Sequence, residues 1–237
     1  MKKALFLSVM VVFCTLGCSQ TTTVEQSSGT VEQPSTALPK VTQSTPEARS
    51  PEPLPEEKQI LLTGGTARYL VQEQLARLNF PIDAIGETQE VLGFISINND
   101  GTINQEESEI VVKLEDLRSD ESRRDRYLRN NSLESNVYPE AVFQVKELIG
   151  FNWPELGSEK EDQNFRMLGD MTIHGVKAEI EWDVEVHFID NVIEGQARTS
   201  FPFSKFKMEI PSLFFILSVE DEIRLELDFS AQWYPER

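Results

Sequence analysis

Apolar and polar side chains alternate one for one from Lys177 to Phe188. Ala178, Ile180, Trp182, Val184, Val186 and Phe188 are interleaved with Glu179, Glu181, Asp183, Glu185 and His187. A period of two over that length predicts a β-strand with one dry and one wet face, because successive strand side chains point to opposite sides. The stretch Glu222 to Phe229 repeats the pattern, with Ile223, Leu225, Leu227 and Phe229 on one side, and Ile110, Val112 and Leu114 repeat it briefly. Strands wet on one face belong to antiparallel sheets, since parallel sheets are covered on both. Further strands are predicted at Thr66 to Gln74, Glu90 to Asn98, Ala141 to Leu148, Phe165 to Ile173 and Asn191 to Phe201. About eight strands with a single apolar face favour a closed barrel or a sandwich over a sheet that needs helical cover.

Two segments depart from alternation. Arg118 to Ser135 is charged around Tyr127, Leu128 and Leu133, which predicts a loop with a short helical turn. Phe201 to Leu217 is rich in aromatic and aliphatic residues and broken by Pro202 and Pro211. Its phenylalanines either cap a barrel end or line the mouth of an apolar cavity.

The N-terminal pattern is of another kind. Lys2 and Lys3 precede an apolar run from Ala4 to Phe13, which is too short to span about 30 Å of hydrocarbon and has the layout of a secretory signal. Thr15-Leu16-Gly17-Cys18 resembles the lipobox of bacterial lipoproteins, with Thr15 where leucine is usual. The resemblance implies cleavage at residue 18 and acylation of Cys18. The chain would then be exported and tethered on the periplasmic side of the cell envelope. Ser19 in place of aspartate points to the outer membrane in a diderm cell. An ordinary cleaved signal with an incidental Cys18 is the alternative. Residues 19–58 are rich in Ser, Thr, Gln, Glu and Pro and have too little apolar surface to offset the entropy of ordering. They are expected to form a disordered spacer on the order of 35 Å in root-mean-square span. The remaining stretch, Gln59 to Arg237, is long enough for one well-buried domain.

Composition excludes more than it selects. Cys14 and Cys18 are the only cysteines, so the domain has no disulfide, thiol nucleophile or thiolate ligand. A formal net charge of −18 disfavours nucleic acid and anionic lipid surfaces as partners. His174 and His187 are the only imidazoles, too few for a multi-histidine metal site. Ser96 to Glu107 matches much of a calcium loop, with Gly101 at its sixth position, but begins on an uncharged Ser96 and reads better as a hairpin around Asp100-Gly101. No G-x-S-x-G, P-loop or G-x-G-x-x-G occurs, so neither an enzyme activity nor a cofactor is expected.

Three short motifs carry a family resemblance. Arg124-Asp125-Arg126-Tyr127-Leu128, Tyr138-Pro139-Glu140-Ala141-Val142-Phe143, and Gly169-Asp170-Met171-Thr172-Ile173-His174-Gly175-Val176 resemble, in order and separation, the signature of the YceI-like family. Tyr127 stands where that signature has histidine, and Leu133 is what remains of its aromatic pair. The resemblance covers Gln59 to Trp233. It implies a single up-and-down, lipocalin-like antiparallel barrel whose apolar interior binds an amphiphile with a long polyisoprenoid or fatty-acyl chain.

A closed barrel of about eight strands is either filled by its own side chains or holds one small ligand. Burying about fifteen methylenes would release on the order of 12 kcal/mol gross, before the entropy of immobilising the chain is subtracted. The expected lining is Phe143, Trp182, Phe201, Phe203, Phe206, Phe214 and Phe215. Arg124 and Arg126, in the densest basic cluster, are the candidates for a head group. The competing class is a filled barrel recognised by an envelope protein partner, and pairing of two barrels into a homodimer is compatible with either.

Overall fold

The computed structural model describes residues 58–153 and 161–234, so the signal-like segment, Cys18 and the spacer lie outside the described residues. The strands are β1 (Lys58–Leu75), β2 (Ile82–Thr88), β3 (Val91–Ile97), β4 (Glu109–Lys113), β5 (Arg118–Ser119), β6 (Glu140–Ile149), β7 (Glu161–Ile173), β8 (Val176–Ile189), β9 (Val192–Phe201), β10 (Ile216–Val219) and β11 (Ile223–Tyr234). One short helix, α1 (Ser122–Tyr127), follows β5 and runs into a π-turn at Leu128–Ser132.

Eight of these strands close a ring in the order β1, β3, β4, β6, β7, β8, β9, β11. β11 returns to β1 with Gln59–Leu70 paired against Tyr234–Arg224. All pairings are antiparallel, and from β3 onward ring neighbours follow one another in the chain. Of the closed barrel and the sandwich that alternation leaves open, this is the barrel, as the family resemblance implies. In β8, Ile180, Trp182, Val184, Val186 and Phe188 are buried while Glu179, Glu181, Asp183 and Glu185 face water.

The ring is not uniform along its axis. β1 pairs with β3 only through Lys58–Leu61, and its second half, Ala67–Glu73, pairs instead with β2. β5 pairs with β2 beyond that, and α1 follows it. The chain between β4 and β6 therefore closes the side of the barrel that β3 leaves open. β10, at the end of the aromatic segment, pairs with the last residues of β1. Neither β2 nor β10 is predicted from alternation, and β1 begins earlier than the Thr66 expected for it.

Two glycines make room for inward aromatic rings. A Cβ on Gly86 would lie 2.2 Å from the ring of Tyr69, its cross-strand partner, and one on Gly169 would lie 2.6 Å from the ring of Phe143.

Candidate ligand cavity

The barrel is not filled. Between the inner faces of its strands and the β4–β6 connection lies a void of about 1300 Å³, counting its opening to solvent, of which about 150 Å³ admits the centre of a water-sized molecule. Its wall is apolar for most of its extent. β7 supplies Met167 and Met171, and β8 supplies Trp182. Phe201 ends β9, Phe203 opens the turn after it, and Leu114, Leu117, Leu128 and Leu133 come from the connection.

One polar cluster interrupts this wall. Glu73 stands on the dry side of β1, and Arg124 reaches it from α1 with its Nη2 donating to Glu73 Oε1 at 2.5 Å. The guanidinium's other terminal nitrogen donates to Asp120 Oδ1 at 2.8 Å and to Ser119 Oγ at 3.1 Å. Asp125 ties the turn together by accepting from the Ser119 amide and hydroxyl. Glu121 precedes α1, and its carboxylate accepts from the Arg123 amide and caps the helix. Burial alone would lower the pKa of Arg124, but its hydrogen bonds to Asp120 and Glu73 outweigh that and raise it. Tyr69, on the same face of β1, has its phenol pushed up to about 12, chiefly by burial, against the lowering effect of the Arg124 charge.

Three buried donors that belong to the cavity wall have no acceptor: Arg124 Nε, Tyr69 Oη and Trp182 Nε1. Buried polar atoms are nearly always paired, so these three mark where the hydrogen bonding of the wall is left incomplete. The charge nearby is already balanced or negative, since one guanidinium faces both Glu73 and Asp120.

Of the residues expected at the site, Phe143, Trp182, Phe201, Phe203 and Arg124 line this void. Phe143 and Trp182 meet edge to face at 6.1 Å. Phe206 is fully buried but stands behind the wall, its ring against Phe201 at 4.8 Å. Phe214 is 87% exposed, with the Arg123 guanidinium 5.9 Å from its ring centre. Phe215 packs on Phe214 and does not reach the void, and Arg126 is exposed on α1. Tyr69, Glu73 and the methionines of β7 had not been expected there. The available signal for Glu73 was its place in register with Tyr69 and Val71 on an otherwise dry strand face. Among the described residues no cluster of His, Cys, Asp and Glu could hold a metal ion.

Comparison with known proteins places this geometry. The YceI-like domain model matches residues 69–231. The chain belongs to the YceI-like family. A polyisoprenoid-binding domain from Saccharophagus degradans, described as implicated in plant cell wall breakdown, superposes with a TM-score of 0.57 at 13% identity, over 74% of this chain and 98% of that one. BcnA of Burkholderia cenocepacia gives 0.51 at 12% identity over 71% and 96%. A variant of the Campylobacter jejuni YceI protein gives 0.51 at 18% identity over 67% and 90%. No curated protein matches this chain significantly. At these identities the likeness is one of fold.

The YceI-like motifs turn out to be the fasteners of the cavity. His174 and Gly175 form the two-residue turn between β7 and β8, both with positive φ, 52° and 68°, as a tight hairpin of the I′ kind requires. Gly175 leaves space for Tyr138, whose ring lies edge to face with His174 at 5.2 Å. His174 Nε2 is hydrogen-bonded to Glu134 Oε2 at 2.6 Å. The second and third motifs thus clamp the end of the β4–β6 connection to the β7–β8 turn, and the first motif, on that connection, delivers Arg124 into the wall.

Proposed function

We propose that this YceI-like protein holds one long-chain amphiphile of the polyisoprenoid or fatty-acyl type, with its tail along the apolar void and its head against Arg124 and Tyr69. The observation that carries the reading is the void itself, apolar through most of its wall, with Arg124 and Tyr69 among the few polar side chains that line it. The polyisoprenoid-binding relative with the same fold supports the choice of ligand class. Because Glu73 and Asp120 already answer the charge of Arg124, the favoured head is an uncharged acceptor, such as a hydroxyl or carbonyl, over a diphosphate or a carboxylate. No bond need be made or broken, and the role is that of carrier, buffer or scavenger.

The N-terminal sequence supports a location for this activity. An acylated Cys18 would anchor the protein, and the spacer from residue 19 to the start of β1 at Lys58 would hold the barrel off the membrane on the periplasmic side of the envelope. About 0.8 kcal/mol per buried methylene makes anchoring by two or more acyl chains stable.

Native mass spectrometry of the protein purified from a bacterial envelope fraction tests both parts. A stoichiometric polyprenyl or acyl compound that extracts into organic solvent is the expected result, together with added acyl mass at Cys18. A clean mass without ligand, and no uptake of added isoprenoid or fatty-acyl probes, overturns the binding role. An unmodified Cys18 overturns the anchor.

A further inference from the structure

Below the main void, a second one of about 510 Å³, counting its opening to solvent, lies inside the same barrel. About 40 Å³ of it admits the centre of a water-sized molecule, more than the roughly 10–15 Å³ that one water needs. Every lining side chain is apolar, from Ile60 and Leu62 to Phe165 and Phe229, so water finds no partner there. Apolar cavities stay dry, and a dry void costs stability unless something fills it.

Ile110, Met167, Ala197 and Leu227 belong to the walls of both voids. They form a layer between the two voids, one residue each from β4, β7, β9 and β11. On β9, Phe201 faces only the upper void and Ile193 only the lower, with Ala197 midway between them. On β7, Met171 faces only the upper and Phe165 only the lower, with Met167 between. Among the described residues Phe151, Phe165 and Phe188 pack as an aromatic plug toward the lower end, and Trp153 stacks on Trp233 beside it at 5.2 Å. The layer itself is the weak point of the interior. Ala197 presents the smallest side chain it could carry without becoming glycine, and Met167 has three rotatable bonds and a thioether that adapts to its surroundings.

We propose that Ile110, Met167, Ala197 and Leu227 form a movable partition that decides how long a hydrocarbon chain the protein accepts, with the lower void as the compartment for the end of the tail. This rests on the reading of the upper void as a chain-binding site. Four residues of strand from Ala197 to Ile193 rise about 13 Å, or about 10 Å along the axis of a barrel whose strands tilt by roughly 40°. At about 1.25 Å per carbon, from a bond of about 1.5 Å and an angle near 111°, that depth takes roughly six to eight further methylenes. Each methylene that finds apolar contact adds about fourfold to affinity.

The test measures binding of primary alcohols from dodecanol to tetracosanol to the full chain, by displacement of a fluorescent fatty-acyl probe, in wild type, Ala197→Leu and Met167→Ala. Wild-type affinity should climb with length and then level off. Ala197→Leu, which thickens the partition, should bring that break to shorter alcohols by several carbons. Met167→Ala, which thins it, should raise the ratio of affinity for the longest alcohols to affinity for dodecanol at least tenfold over wild type. If Ala197→Leu fails to fold, Met167→Ala decides alone. Alcohols that bind wild type with the same break in every folded variant would overturn the partition while leaving the binding role intact. Failure of every alcohol, dodecanol included, to bind wild type would overturn the chain-binding role and the partition with it.

Discussion

Glu73→Gln separates the structural part of the Arg124 cluster from its effect on a ligand. The side chains of Arg124 and Glu73 are 6% and 3% exposed, so solvent does little to screen the pair. Breaking a buried ion pair by removing one charge costs about 3–5 kcal/mol. Glutamine can still accept a hydrogen bond through its amide oxygen, and Asp120 remains on the other side of the guanidinium, which places the expected loss near 3 kcal/mol. For a domain of this size about 1 kcal/mol corresponds to about 2–4 °C, so the melting temperature should fall by about 6–12 °C.

The ligand effect has the opposite sense. A carboxylate head approaching Arg124 in the wild type meets Glu73, and a unit charge at about 4 Å with an effective dielectric near 20 is worth on the order of 4 kcal/mol. A third of that is about tenfold in affinity. Glu73→Gln should therefore raise the affinity for stearate relative to stearyl alcohol at least tenfold, measured by competition against one fluorescent probe in both proteins. A variant that melts with the wild type and keeps its stearate-to-alcohol ratio would refute the argument that a buried, charge-balanced pair faces the head group.

Trp182→Glu places a carboxylate beside Phe143 in the apolar wall. It should abolish chain binding and cost at least the roughly 3–5 kcal/mol of a buried tryptophan truncation, with circular dichroism still reporting sheet, whereas Trp182→Phe should retain binding; unchanged binding by a folded Trp182→Glu removes this residue from the site. Acid should weaken the barrel through its cross-strand pairs. Asp228 is held below the usual carboxylate range by its hydrogen bond from Arg68, and Asp170 by that from Lys146. A carboxyl whose folded pKa is depressed contributes stability that is present above its unfolded value, here about 3.8, and is lost as pH falls below it. The melting temperature should hold down to about pH 5 and drop steadily below about pH 4; equal melting temperatures at pH 3 and pH 6 would show that these pairs contribute nothing.

Alternation is a local property, and it was enough to place the strands of the ring and their wet and dry faces, while it left a closed barrel and a sandwich both open. Ile180 through Phe188 face inward because side chains on a strand alternate sides whatever it packs against. The motifs from Arg124 to Val176 were legible by order and spacing, and they led to the family. What they do physically, clamping the β4–β6 connection through Tyr138 and His174, was not. β2 escaped because its inward series, Ala84, Gly86 and Thr88, lacks apolar bulk, which Tyr69 supplies from the neighbouring strand. Alternation turns Glu73 inward with Tyr69 and Val71, but that a carboxylate can stand there depends on Arg124, 51 residues away, which pairs with it. Likewise nothing local distinguishes Phe203, which lines the void, from Phe214, which faces solvent. A strand's faces follow from neighbours one and two residues apart, whereas a cavity is the space left where the inner faces of the strands and the two long connections fail to meet. That depends on distances between residues far apart in the chain, and only the tertiary structure holds them.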